Sequence, residues 1–327
     1  MRKIVIILSV VIAILCLSAC GTATNKDSSS GKMKIVATIF PEYDWVKEIM
    51  GDKAQDAEIT LLLDNGVDLH SYQPTAEDIL KISTCDVFIY VGGESDEWVK
   101  DALKNAVNKN ICVINLMDVL GENAKEEEMV EGMQKEDGEE DDEEGGEEPE
   151  YDEHVWLSLK NAQIFVRTIA DRLMSVDPGN AKTYNENADL YIDELKKLDD
   201  KYRTAIENSN LKTVLFGDRF PFRYMIDDYG LEYYAAFVGC SAETEASFET
   251  ISFLSGKIDE LRLPAVLTIE DSDKKIAETI IQNTLSKDAK ILTMDSMQGV
   301  TSKEAGDGIT YLSVMKKNLE VLEEALK

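Results

Sequence analysis

The chain holds only two histidines, and both stand among polar and acidic neighbours: Asp68-Leu69-His70-Ser71-Tyr72-Gln73-Pro74 and Tyr151-Asp152-Glu153-His154-Val155-Trp156. A neutral imidazole is a common ligand for divalent metals, and a nearby carboxylate can orient its second ring nitrogen. Separated histidines are as readily plain surface residues, so residue type alone leaves metal binding and solvation equally open. His70 follows an apolar run and Asp64-Asn65-Gly66, just beyond the carboxyl end of an expected strand, where open α/β sheets form their ligand crevice. His154 closes an acidic stretch and precedes an expected helix carrying Leu159, Ala162, Phe165, Val166, Ile169 and Leu173. Other chemistries have less support. Gly92-Gly93 is followed by no dinucleotide or Walker pattern and reads as a turn, and no GxSxG elbow is present.

The elements that must carry these side chains follow from periodicity. Short β-rich runs at KIVATIF, EITLLL, CDVFIYV and NICVINL alternate with helix-compatible stretches such as 75 to 82. A second set appears in LKTVLFGD, LEYYAAF, PAVLTIE and KILTMDS, separated by stretches such as 247 to 261. This alternation predicts an α/β protein of two lobes, each a roughly four-stranded parallel sheet flanked by helices. Between the sets, Tyr184, Ala188, Tyr191, Leu195, Leu198, Tyr202 and Ala205 recur at steps of four and three after Asp177-Pro178-Gly179. They predict a stiff amphipathic helix of about 28 residues, roughly 42 Å long. The expected order is an N-terminal lobe over 33–178, a linking spine helix over 179–209 and a C-terminal lobe over 210–327.

Composition narrows the partners. Of 327 residues, 34 are Lys or Arg and 64 are Asp or Glu, a formal charge of −30 that repels nucleic acid. Residues 122–153 hold 18 of the acids against Lys125 and Lys135, and read either as a solvated, disordered insertion or as a mobile gatherer of cations. Met1-Arg2-Lys3 and the apolar run to Ala19 match a secretory signal too short to span a bilayer comfortably. Leu17-Ser18-Ala19-Cys20 looks like a lipobox, so residues 1–19 are expected to be removed and Cys20 to carry lipid. Residues 20–32 then form a tether with a span of roughly 20 Å. Cys85, Cys112 and Cys240 remain, without CxxC spacing, and Cys85 and Cys112 read as core residues.

With these residues in view, the chain from about Lys34 onward resembles the zinc- and manganese-binding lipoproteins that serve bacterial ABC importers. The segments carrying the resemblance are G-V-D-L-H-S-Y-Q-P at 66–74, V-G-G-E-S-D-E-W at 91–98, D-E-H-V-W-L at 152–157, A-E-T-E-A-S at 242–247 and L-T-M-D-S-M at 292–297. The resemblance implies one divalent metal in the cleft between the lobes, with His70, His154 and Asp295 at three ligand positions. The remaining family ligand, a histidine or glutamate, falls on Arg219, which cannot bind a metal. Asp218 after a one-residue shift, Glu270, water or an acidic-loop residue then completes the shell, or Arg219 neutralises Asp295 and weakens the site. The implied function is an extracytoplasmic, lipid-anchored, monomeric protein, not an enzyme, that delivers zinc to an ABC permease, with manganese as the alternative ion. Two competing readings use the same fold: a metallohydrolase with Glu153 or Glu270 as general base, and a cell-surface adhesin or metal buffer.

Overall fold

The computed structural model describes residues 31–64, 66–134, 150–241 and 245–327. The expected signal peptide, Cys20, most of the tether and the middle of the acidic window lie outside the described residues. Each of the eight apolar runs forms a strand: β1 (Met33–Ala37), β2 (Ala57–Leu61), β3 (Val87–Tyr90), β4 (Cys112–Asn115), β5 (Thr213–Phe220), β6 (Glu232–Val238), β7 (Ala265–Thr268) and β8 (Lys290–Thr293). They build two four-stranded sheets, ordered β2-β1-β3-β4 and β6-β5-β7-β8. Every pair is parallel; in the first sheet Ile35 lies opposite Ile59 on one side and Val87 on the other. Helices on both faces explain why these strands are apolar at successive positions: Val87, Phe88 and Ile89 are all fully buried.

The helices are α1 (Phe40–Met50), α2 (Ala76–Thr84), α3 (Trp98–Lys104), α4 (Leu116–Leu120), α5 (Leu159–Val176), α6 (Ala181–Asn208), α7 (Arg223–Tyr229), α8 (Phe248–Leu261), α9 (Lys275–Asn283), α10 (Ser302–Gly306) and α11 (Tyr311–Ala325). Their starts are written locally. Thr75 Oγ1 accepts from Asp78 N–H at 3.2 Å while Asp78 Oδ2 accepts from Thr75 N–H at 3.0 Å, a reciprocal cap on α2. Ser158 and Ser247 cap α5 and α8 through single hydroxyls. The 28-residue α6 buries Tyr184, Ala188, Tyr191, Leu195, Leu198 and Tyr202, the stripe expected from sequence.

Helix α6 packs along α5 and α1 beside the first sheet and also meets α7 and α11 of the second half. Tyr202 donates its hydroxyl hydrogen to Met315 O at 2.6 Å. One apolar cluster runs from Phe88 and Phe165 through Trp45 and Tyr311 to Phe216 and Met315, so the lobes share an interior, and a second, smaller cluster around Leu215, Leu254 and Ile280 lies within the second half. Separating them would re-expose this surface at about 2.5 kcal/mol per 100 Å², which opposes wide hinge opening. Among the described residues no helix is long and apolar enough to cross a membrane. Cys85 is buried in this core, as its sequence context suggests, and Cys112 packs against it partly buried.

Glu42, Asp44 and Asp96 are buried acids of the first half of the chain. Glu42 accepts from the Thr38 and Ile39 amides at 2.8 and 3.3 Å, yet burial, reinforced by the charge of Asp96, pushes its carboxyl up to about 8. Burial likewise pushes Asp44 and Asp96 up to about 7. These groups bind protons more tightly in the fold than in the unfolded chain, so their contribution is complete below the unfolded carboxylate range and is lost as pH climbs through the folded values. The melting temperature is therefore expected to fall between about pH 5 and 8, and Glu42→Gln, which keeps a neutral side chain at all pH, is expected to flatten that slope in thermal melts.

Candidate metal site

The two histidines reach one point from different loops. His70 sits on the 3-10 turn Leu69–Ser71 beyond β2, where Asp68 Oδ1 accepts from the His70 amide at 3.0 Å and fixes the turn. Its Nδ1 is hydrogen-bonded to Ser95 Oγ at 2.8 Å, with Glu153 Oε2 at 3.5 Å. Ser95 is held in turn, its amide donating to Glu153 Oε1 at 2.9 Å. Gly93 is required beside this carboxylate: its φ is +85°, and a Cβ there would stand 2.2 Å from Glu153 Oε1.

His154 precedes the 3-10 turn Val155–Leu157 and is fully buried. Asp152 Oδ1 accepts from both the His154 amide (2.8 Å) and its Nδ1 (3.0 Å), which places the ring proton on Nδ1 and leaves Nε2 as a lone-pair donor. That Nε2 lies 3.1 Å from His70 Nε2. Two nitrogens bound to one tetrahedral zinc at about 2.0–2.1 Å stand roughly 3.3 Å apart, so the pair is already spaced for a shared ion. Burial, and then the proximity of His154, depress His70 to about 3, keeping it neutral and ready to ligate. Burial also opposes charge on His154, but Asp152, Asp68 and Glu153 together outweigh it and hold this imidazole above its ordinary value.

The second lobe contributes differently from expectation. Arg219 Nη2 forms an ion pair with Asp68 Oδ2 at 2.7 Å, so it pairs across the cleft and not with Asp295. Its Nη1 donates to Ser241 O at 3.4 Å. These residues border a cavity of about 450 Å³ also lined by Asp218, Glu270 and Asp271. Asp218 accepts from the Arg219 and Ile269 amides at 2.9 and 3.4 Å, tying the irregular end of β5 to β7. Glu270 accepts from Ser296 N–H and Oγ–H at 2.6 and 2.5 Å and from Gln298 N–H at 3.2 Å, which makes it the anchor of the 296–298 turn. Asp295 accepts from the Met297 amide at 2.8 Å, and burial raises its carboxyl above the usual range. Among the described residues the ligand atoms gathered within 4.8 Å of one another belong to His70, His154 and Cys240, and Asp218, Glu270 and Asp295 are outside that group. The sequence reading left Cys240 unassigned, because its partners are remote in the chain.

The sequence profile of the ZnuA family, zinc-uptake complex component A, periplasmic, matches residues 35–325. The chain belongs to the ZnuA family. It is 30% identical to the zinc-binding lipoprotein AdcA of Streptococcus pneumoniae over 99% of its own length, and spans 61% of that relative. It is 28% identical to the high-affinity zinc uptake system protein ZnuA of Bacillus subtilis, covering 95% of this chain and 94% of the other. The crystal structure of the Zn(II)-bound ZnuA-like domain of the S. pneumoniae AdcA superposes with a TM-score of 0.67 at 28% identity, covering 90% of this chain and 99% of that one.

In this ZnuA-family chain the described residues on either side of the acidic cluster are clamped to each other. Glu126 bridges Tyr151, Glu127 N–H donates to Glu150 O at 2.9 Å, and Asp152 N–H donates to Lys125 O at 2.9 Å. The Tyr224 hydroxyl accepts from Lys125 N–H and donates to Asp152 O, both at 2.9 Å, so α7 fastens the strip that carries His154. The cluster 135–149 lies outside the described residues. Asp152 itself offers a test: Asp152→Asn keeps the shape but weakens the acceptor that orients His154, and zinc affinity in a chelator competition titration is expected to fall about 10–100-fold.

Proposed function

We propose that this chain is an extracytoplasmic zinc-binding protein that takes Zn(II) into the cleft and hands it to the permease of an ABC importer. The observation that carries the reading is the pair of Nε2 atoms 3.1 Å apart, each on a ring whose Nδ1 is already engaged. His70 and His154 form the first half of the shell. Asp295, at the family's carboxylate position on the loop after β8, would join by a local shift of the 294–297 turn, whereas the hydrogen bonds on Asp218 and Glu270 favour structural roles for both. Imidazole with carboxylate suits zinc and manganese alike; zinc is favoured by the stronger general affinity of such sites for it and by the zinc-binding relatives. Cys20 would anchor the chain in the membrane, leaving the folded body monomeric on the outer face.

The hydrolase reading has less support, because the 296–298 turn takes up the oxygens of Glu270 and the family profile that the chain matches is one of zinc uptake. Shared burial between the lobes favours local rearrangement on loading, with the loops moving more than the core. Native mass spectrometry of residues 21–327, stripped of metal and titrated with Zn(II) and Mn(II), tests the proposal. One tight zinc equivalent is expected; many weak equivalents, unaltered by His70→Ala with His154→Ala, would leave only acidic-residue binding and overturn it. Unchanged zinc uptake in a strain lacking the protein would point instead to the adhesin or buffer role.

A further inference from the structure

We propose that the thiolate of Cys240 is a third zinc ligand, making a His2Cys centre that replaces the family ligand lost at Arg219. The inference rests on the zinc-binding reading above and adds a ligand of a different chemical class to it. Cys240 lies on the turn that leaves β6, and its Sγ and a ring nitrogen of each histidine fall within 4.8 Å of one another. His154 is fully buried with its Nε2 facing His70 Nε2, and an independent sign of a cation at this point is the buried Glu153 Oε2, which lies 3.5 Å from His70 Nδ1 without a hydrogen-bond partner among the described residues. Tetrahedral zinc with one sulfur at about 2.3 Å and one nitrogen at about 2.0–2.1 Å holds them roughly 3.6 Å apart, so a displacement of about an ångström brings the thiolate to its ligand position.

Two further features serve this approach. Gly239 packs against the His154 ring, and a Cβ at that position would stand 2.9 Å from both His154 Cε1 and Phe220 O. The missing side chain lets the backbone before Cys240 come down onto the imidazole. Arg219, standing where the family has an imidazole or carboxylate, grips Ser241 O beside the cysteine with one nitrogen and Asp68 beside His70 with another. The substitution that removes one ligand thus supplies a clasp that draws the cysteine loop toward the histidine loop. On loading, the Cys240 S–H bond breaks, its electron pair forms the Zn–S bond, and the proton passes to solvent. A thiolate adds one negative charge toward the 2+ ion and, being soft, favours zinc over manganese.

Cobalt substitution tests this in the full mature chain. One tight Co(II) with an intense thiolate-to-cobalt charge-transfer band in the near ultraviolet is expected. Cys240→Ser is expected to lose the band, to retain one cobalt held by the histidines, and to lower zinc affinity at least tenfold while narrowing the preference over manganese. A tight cobalt site without the band in the unmutated chain, a band that persists in Cys240→Ser, or a zinc affinity within twofold of the original would each overturn the cysteine ligand and leave the two-histidine site standing. Absence of any tight equivalent in the unmutated chain would overturn the zinc-binding reading itself. If Cys240→Ser fails to fold, Cys240→Ala carries the same comparison, and absence of the band in the unmutated chain overturns the cysteine ligand by itself.

Discussion

His154→Ala is expected to abolish the tight zinc equivalent, with a loss of affinity greater than the roughly 10–100-fold that follows from disturbing a second-sphere partner. The imidazole provides half of the Nε2 pair, and its ring is held by Asp152 and by complete burial. Removing it also takes the Nδ1 donor from the buried Asp152 carboxylate, which keeps only the residue-154 amide on that oxygen, and losing such a donor costs about 1–3 kcal/mol. Stability and affinity therefore need separate readouts. His154→Gln keeps a donor for Asp152 and is expected to restore most of the stability without the affinity. Zinc at about 100 times its dissociation constant should stabilise the unmutated chain by about 2.7 kcal/mol through mass action, and neither variant should show that shift at the same concentration. A variant that still melts higher with zinc, by the full amount, would remove His154 from the site.

The second large effect is expected at Trp156, two residues on. Its indole Nε1–H donates to Ser296 O at 2.8 Å, and its own carbonyl accepts from Tyr311 O–H at 2.7 Å, so one residue joins the His154 strip to the loop of Asp295 and to α11. Its side chain is completely buried, and His154 packs 5.3 Å from it, centroid to centroid. Trp156→Ala is expected to destabilise by about 3–5 kcal/mol through cavity formation, read as a lower urea midpoint at an unchanged slope. Trp156→Phe retains most of the apolar volume but leaves Ser296 O without its donor, and about 1–3 kcal/mol is expected. Because the indole braces the ring of His154 and the 296 loop together, zinc affinity should fall in the same order as stability. A Trp156→Ala chain with unaltered stability would show that the junction is not held here.

The two substitutions fail differently because one removes donor electrons and the other removes the wall that keeps them in place. That difference also separates what was legible along the chain from what was not. The eight strands, the start of α2 at Thr75 and the 28-residue α6 depend on side-chain periodicity and on hydrogen bonds within a few residues, which neighbours in sequence decide. The two histidines were visible because they are the only ones and because acids flank them. The lipid-anchor motif lies outside the described residues and stays a sequence expectation.

The site itself depends on distances that periodicity does not encode. His70 and His154 are 84 residues apart in the chain, and their 3.1 Å approach exists only because the ends of β2, β3 and the strip before α5 meet over a common core. The pairing of Arg219 with Asp68 spans 151 residues and is none of the arrangements weighed from sequence, among which a contact of Arg219 with Asp295 was one alternative. Glu270 has the right chemistry for a ligand, yet the backbone turn at 296–298 takes its oxygens. Cys240 carries no local motif, and only the placement of β6 beside β5 turns its thiol toward the histidines. The amino-acid sequence by itself determined the elements, the lobes and the candidate imidazoles, since these follow from short-range propensity and patterning. Only the tertiary structure decided which carboxylates are free, which are tied to backbone, and which third group stands near the ion's place, because a metal shell is a convergence of loop ends set by how two sheets pack.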